Sequence, residues 1–351
     1  MSLVSIIIPV FNAEEFLSKC LDSVINQTYE DIEIIIINDA SSDNTLSIIK
    51  NYQKKDSRII LINFEENKGN GYGRNLAIEK ANGNYIAFVD ADDWIEPNHI
   101  IENIIKAEDT NAEIVLSGYI EHITYIKKQS KNTIFHIPKL EDFENSDKLI
   151  QSFLLFQNGV YIQPWIYFFK RDFLISNQIK FNDSGLFFED NIFTAKAIVN
   201  CKNLVVLREK LYHYYRHKKS ITHTFGRKTI EGRFSALLEV KQLLKDQGIF
   251  EKFKDEYTLF FIRSGFLIST FDYFRMNSKN LEIENFIKEI AKSEFVQNFN
   301  VNSLILPPEI NIQPNGLSYK QTQILVYYYS RYFNLAKLKY KLLVKFGLLP
   351  F

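Results

Sequence analysis

The stretch Asn84-Tyr85-Ile86-Ala87-Phe88-Val89-Asp90-Ala91-Asp92-Asp93-Trp94 carries an apolar strand straight into three carboxylates within four positions. Carboxylates this close repel one another unless a cation or hydrogen-bond donors compensate them. A hard divalent ion, Mg²⁺ or Mn²⁺, meets that need, held by one or two carboxylates while a substrate's phosphates fill its other positions. The same residues also fit a plain strand-to-helix turn, with Asp92 or Asp93 capping the helix that begins near Pro97. The neighbouring segments decide between these readings.

Toward the N-terminus, Ser5–Val10 is β-branched without alternation, as expected of a strand buried on both faces. Phe11 and Asn12 turn the chain, and Glu14–Asn26 has the spacing of an amphipathic helix. Ile32–Asn38 is a second buried strand ending at Asp39. Ser41, Ser42 and Asp43 then supply caps for a helix over Thr45–Lys54. Arg58–Phe64 is a third strand, followed by a glycine-rich loop over Asn67–Gly73 and a helix over Arg74–Ala81. On the other side of the acidic stretch, Pro97–Glu108 is helical and Ala112–Gly118 is a strand. Strands alternating with helices of about ten residues imply a parallel sheet with right-handed crossovers. Such sheets bind ligands outside the carboxyl ends of their strands. Phe11 and Asn12, Asp39, Asn67, and Asp90 with Asp92 follow four successive strands, so four strand ends converge on one crevice.

The alternation from Tyr119 to Pro138 predicts strands or a hairpin over that crevice, and Asp142–Phe156 is read as a helix. Trp165, after Gln163-Pro164, is either a sugar platform or a core residue. Gly185–Asp190 (GLFFED) leads into a helix over Ile192–Asn200, Leu204–Leu207 is a strand, and Leu211–Ser220 follows. Strand signals then fade, and helical periodicity recurs over Arg233–Lys245, Glu251–Phe274, Leu281–Lys292 and Lys320–Phe346. Two regions are therefore expected: an α/β domain over 1–222 and a mostly helical one over 223–351. After Glu309 the chain has no acidic residue, while Lys320, Arg331, Lys337, Lys339, Lys341 and Lys345 alternate with aromatic rings. Such a helix suits either a membrane interface or packing against protein, a second copy included.

Forty-two basic residues balance 42 acidic ones, so bulk charge gives no reason to expect a nucleic-acid partner. Cys20 and Cys201 show no metal-ligand spacing and read as reduced, buried thiols. No signal-like segment opens the chain, and no apolar run reaches the ~20 residues of a spanning helix. A cytoplasmic protein, at most peripheral at the inner face of the membrane, is the expectation.

Four ordered motifs, Val4–Asn12 (VSIIIPVFN), Glu33–Thr45 (EIIIINDASSDNT), Asn67 with Arg74-Asn75, and Phe88–Trp94 (FVDADDW), together resemble the glycosyltransferase family 2 nucleotide-sugar domain over roughly Leu3–Thr224. The resemblance implies a GT-A fold: a doubly wound, mostly parallel sheet, here with a helical C-terminal region. It also implies inverting, metal-dependent transfer from a UDP-sugar to a hydroxyl of a glycan, lipid-linked or polymer acceptor in bacterial surface polysaccharide synthesis. Carried over residue by residue, Phe11 after Pro9 would stack on uracil, with Asn12 and Glu14 in the same nucleotide-binding turn. Asp39 would bind the base or ribose, and Asn67 and Arg74 would contact the nucleotide. Asp90 would fall at the ribose or a metal-bound water with Ala91 beside it at the nucleotide, and Asp92 with Asp90 at the metal, Mn²⁺ or Mg²⁺. Glu189 and Asp190 resemble the family's acidic pair, with Asp190 the base. Arg216 and Ser220 lie in a segment similar to the loop that closes over the pyrophosphate. Two departures stand out: Gly73 replaces the usual alanine, and Arg216–Ser220 lacks the arrangement that would give His217 a ligand role. The competing readings are Asp190 as a helix cap, Arg74 paired with Glu79 on its own helix, a nucleotidyltransferase on a similar sheet, and a non-catalytic sugar-nucleotide-binding subunit.

Overall fold

A computed structural model describes residues 2–123, 132–183, 188–217, 227–275 and 281–298. Ser220 and the helix expected over Lys320–Phe346 lie outside the described residues. The chain divides into two compact units, residues 1–153 with 158–223 and residues 154–157 with 224–351.

The first unit is built on one nine-stranded sheet. β1 (Val4–Val10) lies between β2 (Ile32–Asp39) and β4 (Tyr85–Phe88), with β3 (Ile59–Phe64) outside β2, and all three ladders are parallel. Every residue of β1 and β2 is buried, which is why these strands read as unbroken apolar runs. Beyond β4 the sheet becomes mixed. β8 (Tyr167–Lys170) is antiparallel to both β4 and β6 (Ile114–Ile123), and β6 runs parallel to β9 (Leu204–Arg216). The two-residue β5 (Trp94–Ile95) pairs antiparallel with β9, and β7 (Asn132–His136) pairs antiparallel with β6. The expectation of parallel strands thus holds for the first four motif-bearing strands, and antiparallel ladders enter with β5, β7 and β8.

Helices α1 (Leu17–Ile25), α2 (Thr45–Gln53), α3 (Asn70–Lys80) and α4 (His99–Thr110) follow the first motifs. Then come α5 (Ser146–Leu155), α6 (Arg171–Ser176) and α7 (Glu189–Asn200). The sequence reading placed Gly71 and Gly73 in a loop, yet both lie inside α3. A Cβ on Gly71 would overlap the carbonyl oxygen of Asn182, and one on Gly73 would lie 3.0 Å from Ile37. These glycines therefore permit close approach and do not supply flexibility. Only Gly69, at φ 83°, serves the turn that opens the helix. The short α6 went unread, and the segments from Leu204 and Leu211 form one strand whose register shifts around Gly118.

In the second unit, α8 (Arg227–Asp246), α9 (Lys254–Phe260), α10 (Ile268–Arg275) and α11 (Leu281–Ala291) follow the helical periodicity, and the short α12 (Glu294–Gln297) lies outside the ranges read as helical. A π-helical turn over Phe261–Leu267 joins α9 to α10, with Gly265 tight against Leu237 and Phe234. Among the described residues no helix is long and apolar enough to cross a membrane.

One buried carboxylate fixes the approach to the acidic strand. Glu33, 8% exposed on β2, accepts bonds from the Ser5 hydroxyl, the Asn82 backbone N–H (2.6 Å) and side chain (3.1 Å), and the Gly83 N–H (3.2 Å). Burial alone would raise its pKa, but these donors outweigh burial and hold it below the usual carboxylate value. A depressed folded-state pKa gives stability that is present above the unfolded pKa and lost as pH falls through the folded one. Glu33→Ala, which strands these donors, is expected to lower unfolding free energy at pH 7 by about 3 kcal/mol, read by urea titration. The gap from wild type should narrow below pH 4, and an unchanged midpoint at pH 7 would show that the Asn82-Gly83 turn holds without it.

Candidate active site

The crevice is organised around a guanidinium. Arg74, in the second turn of α3, is only 3% exposed. Its Nη2 donates to Asp90 Oδ1 at 3.0 Å, and its Nη1 to Glu189 Oε1 at 3.2 Å and Asp190 Oδ1 at 3.0 Å. The Phe181 ring lies 5.2 Å from the guanidinium carbon. Burial works against the charge, but Asp190, Asp90 and Glu189 together hold its pKa above the ordinary value. Glu189 and Asp190 open α7, and Phe188 before them is held at φ 73°, a left-handed conformation rare for so bulky a residue. The strain that this costs sits at the point where the two acids are aimed.

Asp190 feels three competing influences. Burial raises its pKa, Arg74 lowers it, and Glu189 and Asp90 raise it again, leaving it at about 8, although 28% of the side chain meets solvent. The pair expected to act as base is therefore held by one cation that it shares with the acidic turn.

In that turn, the Asp93 N–H donates to the Asp90 carbonyl at 3.0 Å. Asp92 Oδ2 lies 2.9 Å from His217 Nε2. Burial and then Asp90 push the Asp92 pKa up, with His217 opposing. Asp93, 1% exposed, accepts from the Tyr212 hydroxyl at 2.7 Å and from the Tyr215 N–H at 2.7 Å. Its pKa is raised well above the usual value by burial, then by Asp92 and Asp90. Among the described residues Asp90, Glu189 and Asp190 thus share Arg74 and Asp92 faces His217, while Asp93 is held by the Tyr212 hydroxyl and the Tyr215 N–H. Among the described residues no group of three or more His, Cys, Asp or Glu side chains is arranged to hold a metal ion. The available donors, the hard oxygens of Asp90 and Asp92 beside an imidazole, fit a divalent ion that draws its remaining ligands from a bound substrate.

The residues expected to meet a nucleotide lie at the ends of β1, β2 and β3. Phe11 is 45% exposed, so its ring is not core. Asn12, at φ 48°, accepts from the Ser42 N–H at 2.8 Å, and its own N–H donates to Ser41 Oγ at 3.0 Å. Glu14 accepts from the Asn44 backbone at 3.0 Å and side chain at 2.8 Å. These bonds tie the turn after β1 to the turn after β2. Asp39 accepts from the Lys68 and Gly69 N–H groups at 2.7 and 2.9 Å, and Asn67 Nδ2 donates to the Asp39 carbonyl at 3.3 Å.

Strand-end residues 11, 12, 39, 67, 90 and 92 gather at the same ends of the parallel strands, with Glu189 and Asp190 joined to them through Arg74. Three expectations are changed. Arg74, weighed as a partner of Glu79 on its own helix, binds Asp90 and the α7 acids instead, while Glu79 pairs with Lys180. The Asp190 carboxylate, a candidate cap, bonds Arg74. Trp165 is 4% exposed and stacks on Tyr212 with ring centroids 4.4 Å apart, so it is core and not an open platform. Arg216 Nη1 donates to Glu121 at 2.9 Å. The sequence reading missed Tyr212 and Glu121 as neighbours of the site and left His217 without a role. For Asp93 a signal existed, the third acid of the run; for Tyr212 none did, because β9 is rich in tyrosine.

The glycosyl transferase family 2 model matches residues 5–186. The chain is 29% identical to the putative glycosyltransferase EpsH of Bacillus subtilis over 261 residues, covering 74% of each. It is 30% identical to the poly(ribitol-phosphate) beta-glucosyltransferase of Bacillus spizizenii over 288 residues, which is 80% of this chain but 42% of that enzyme. Among solved structures, S. aureus TarS 1-349 in complex with UDP superposes with a TM-score of 0.66 at 20% identity, over 98% of this chain and 92% of that one, a likeness of fold.

The three-way clamp makes Arg74 a strong stability test. Arg74→Met leaves carboxylates crowded without their cation and should cost about 3–5 kcal/mol at pH 8, measured by urea unfolding. Without the cation that lowers it, the Asp190 folded-state pKa rises further, so the loss should shrink as pH falls toward 5. A constant loss across that range would mean that the cost is packing and not charge.

Proposed function

The chain belongs to glycosyl transferase family 2 and is a glycosyltransferase, and from that premise we propose an inverting, metal-assisted transfer from a UDP-sugar to a hydroxyl of a bacterial surface polymer. One observation carries the reading: a single guanidinium ties Asp90, at the cation end, to Asp190, at the base end. The leaving nucleotide diphosphate and the incoming hydroxyl then face one crevice from its two sides.

Asp92 and Asp90 would hold Mn²⁺ or Mg²⁺. When bound, the ion supplies a Lewis acid where the departing diphosphate gains negative charge. The exposed Phe11 offers a face for the uracil, and the bonded turns at Asn12 and Glu14 hold that face in place. Asp39 acts on the nucleotide through the loop it fixes at Lys68 and Gly69. Arg216 and Ser220 are assigned to the loop over the pyrophosphate. Asp190 takes the proton of the acceptor hydroxyl as that oxygen attacks the anomeric carbon. Glu189, on the same guanidinium nitrogen, keeps Arg74 from neutralising Asp190 fully. One displacement with one base inverts the anomeric centre.

UDP as the donor nucleotide is supported by the fold shared with UDP-bound TarS. A hydroxyl on a polyol or glycan polymer is supported by the poly(ribitol-phosphate) relative. None of the residues assigned to transfer lies in the second unit, to which we give a role outside the chemical step, in holding acceptor, membrane surface or a second copy.

Asp190→Asn should keep UDP affinity within about twofold and lose roughly 10²–10⁴-fold in transfer, read by calorimetry and by release of UDP from a panel of UDP-sugars with Mn²⁺. A subunit that only binds sugar nucleotides would be indifferent to the change. EDTA should abolish turnover and Mn²⁺ restore it. The acid must be ionised to accept a proton, so kcat/KM should fall about tenfold per unit as pH drops below about 8. A flat profile from pH 6 to 9 would remove Asp190 from the role of base.

A further inference from the structure

The acidic turn is held from behind by one phenol. Tyr212 is fully buried on β9, and its hydroxyl bonds to both ends of the Asp90–Asp93 turn. The oxygen accepts from the Asp90 N–H at 3.1 Å and donates to Asp93 Oδ2 at 2.7 Å. The second oxygen of Asp93 accepts from the Tyr215 N–H at 2.7 Å, so β9 grips the turn at one further point. The ring itself cannot swing. Trp165 stacks on it with planes 9° apart, and His99 meets it in an edge contact with centroids 6.2 Å apart.

The strand is built to bring that hydroxyl there. The β6–β9 register runs Ser117↔Leu207, Gly118↔Lys210 and Tyr119↔Tyr212, so β9 carries extra residues opposite Gly118. A Cβ at Gly118 would lie 2.8 Å from the Glu209 carbonyl oxygen, so glycine admits the bulge. Bulges re-aim side chains beside functional sites. Past this one, Tyr212 and His213 pair with Ile95 and Trp94 of β5, directly after the acidic turn.

We propose that Tyr212 is a positioning residue for the donor's divalent ion: its hydroxyl fixes the Asp90–Asp93 turn so that Asp90 and Asp92 present their carboxylates together. The inference rests on the metal role proposed for those two acids and extends it to a residue that touches neither substrate nor ion. Asp93 serves the same end from within the turn, as the acceptor that orients the phenol. Because the effect acts through cation geometry, its signature is a changed response to metal, not a uniform loss of stability or of nucleotide contact.

The test is the Mn²⁺ dependence of UDP binding to the full chain, followed by calorimetry with and without EDTA, and Mn²⁺ binding in the presence of UDP by electron paramagnetic resonance. Tyr212→Phe keeps the ring and its stacking. It should raise the Mn²⁺ midpoint about tenfold while leaving metal-free UDP affinity within twofold. Tyr167→Phe removes another buried hydroxyl of the same sheet, one bonded to the Tyr161 carbonyl at 2.6 Å. It should lower the melting temperature without moving the Mn²⁺ midpoint. If Tyr212→Phe is not recovered folded, Asp93→Asn takes its place, with a smaller shift in the same direction expected. An unchanged midpoint in the variant tested would overturn the inference while leaving the metal reading intact. So would a shift that Tyr167→Phe reproduces. A wild-type protein whose UDP affinity ignores Mn²⁺ would overturn the metal reading, and this inference with it.

Discussion

A buried positive charge must be answered, and in this molecule the answer is the active-site crevice. Arg74 can lie at 3% exposure only because three carboxylates surround it. An arginine stranded in a protein interior would be far more costly than any single bond it makes. The partners come from two places in the chain, just past the end of β4 and the first turn of α7, so satisfying a guanidinium on α3 forces these three elements together. The glycines of α3 serve the same requirement. Without side chains at positions 71 and 73, the helix can close on Asn182 and Ile37 near enough to bring Arg74 to its acids.

The clamp leaves the charge unbalanced, and that residue of charge has a use. Among the described residues one guanidinium faces Asp90, Glu189 and Asp190, and the His217 imidazole faces Asp92. For the donor and cation proposed above, acids gathered this closely would repel a diphosphate on its own and attract a divalent ion. Ion and diphosphate are each unfavourable partners for something when alone, the ion for water it must lose and the diphosphate for the acids it meets. Bound together they cancel most of both penalties, which is a physical reason for donor and cation to enter as a pair.

Much of this was legible from residues alone, because the parallel half of the sheet writes its plan in a simple code. Strands buried on both faces appear as SIIIPV and EIIII, and the polar residue after each one falls at the carboxyl end, where ligands bind. That reasoning located residues 11, 12, 39, 67, 90 and 92. It failed where the determinant was a distance and not a pattern. YFF at β8 is apolar whichever way the strand runs, so its antiparallel entry between β4 and β6 carried no local mark. Gly71 and Gly73 looked like a loop because glycine disfavours helix, and tertiary closeness overrode propensity. Arg74 could be read as the partner of Glu79 on its own helix, and nothing in the sequence told that its acids lie 115 and 116 positions away, at Glu189 and Asp190.

The same limit explains why the tyrosines of β9 were unreadable while the aspartates of the turn were not. An acid in an apolar context is conspicuous because burying it unpaired is costly, so three in four positions demand an explanation. A tyrosine in Leu-Tyr-His-Tyr-Tyr is at home in any strand, and its hydroxyl shows its purpose only when a partner is in view. Asp93 and Tyr212 are such a pair: each buries a polar group that needs the other, at 2.7 Å. The visible motif is therefore the half of the site to which the chemistry is assigned above. The half that holds it in shape is written in ordinary core residues, and only the fold reveals which of them face the turn.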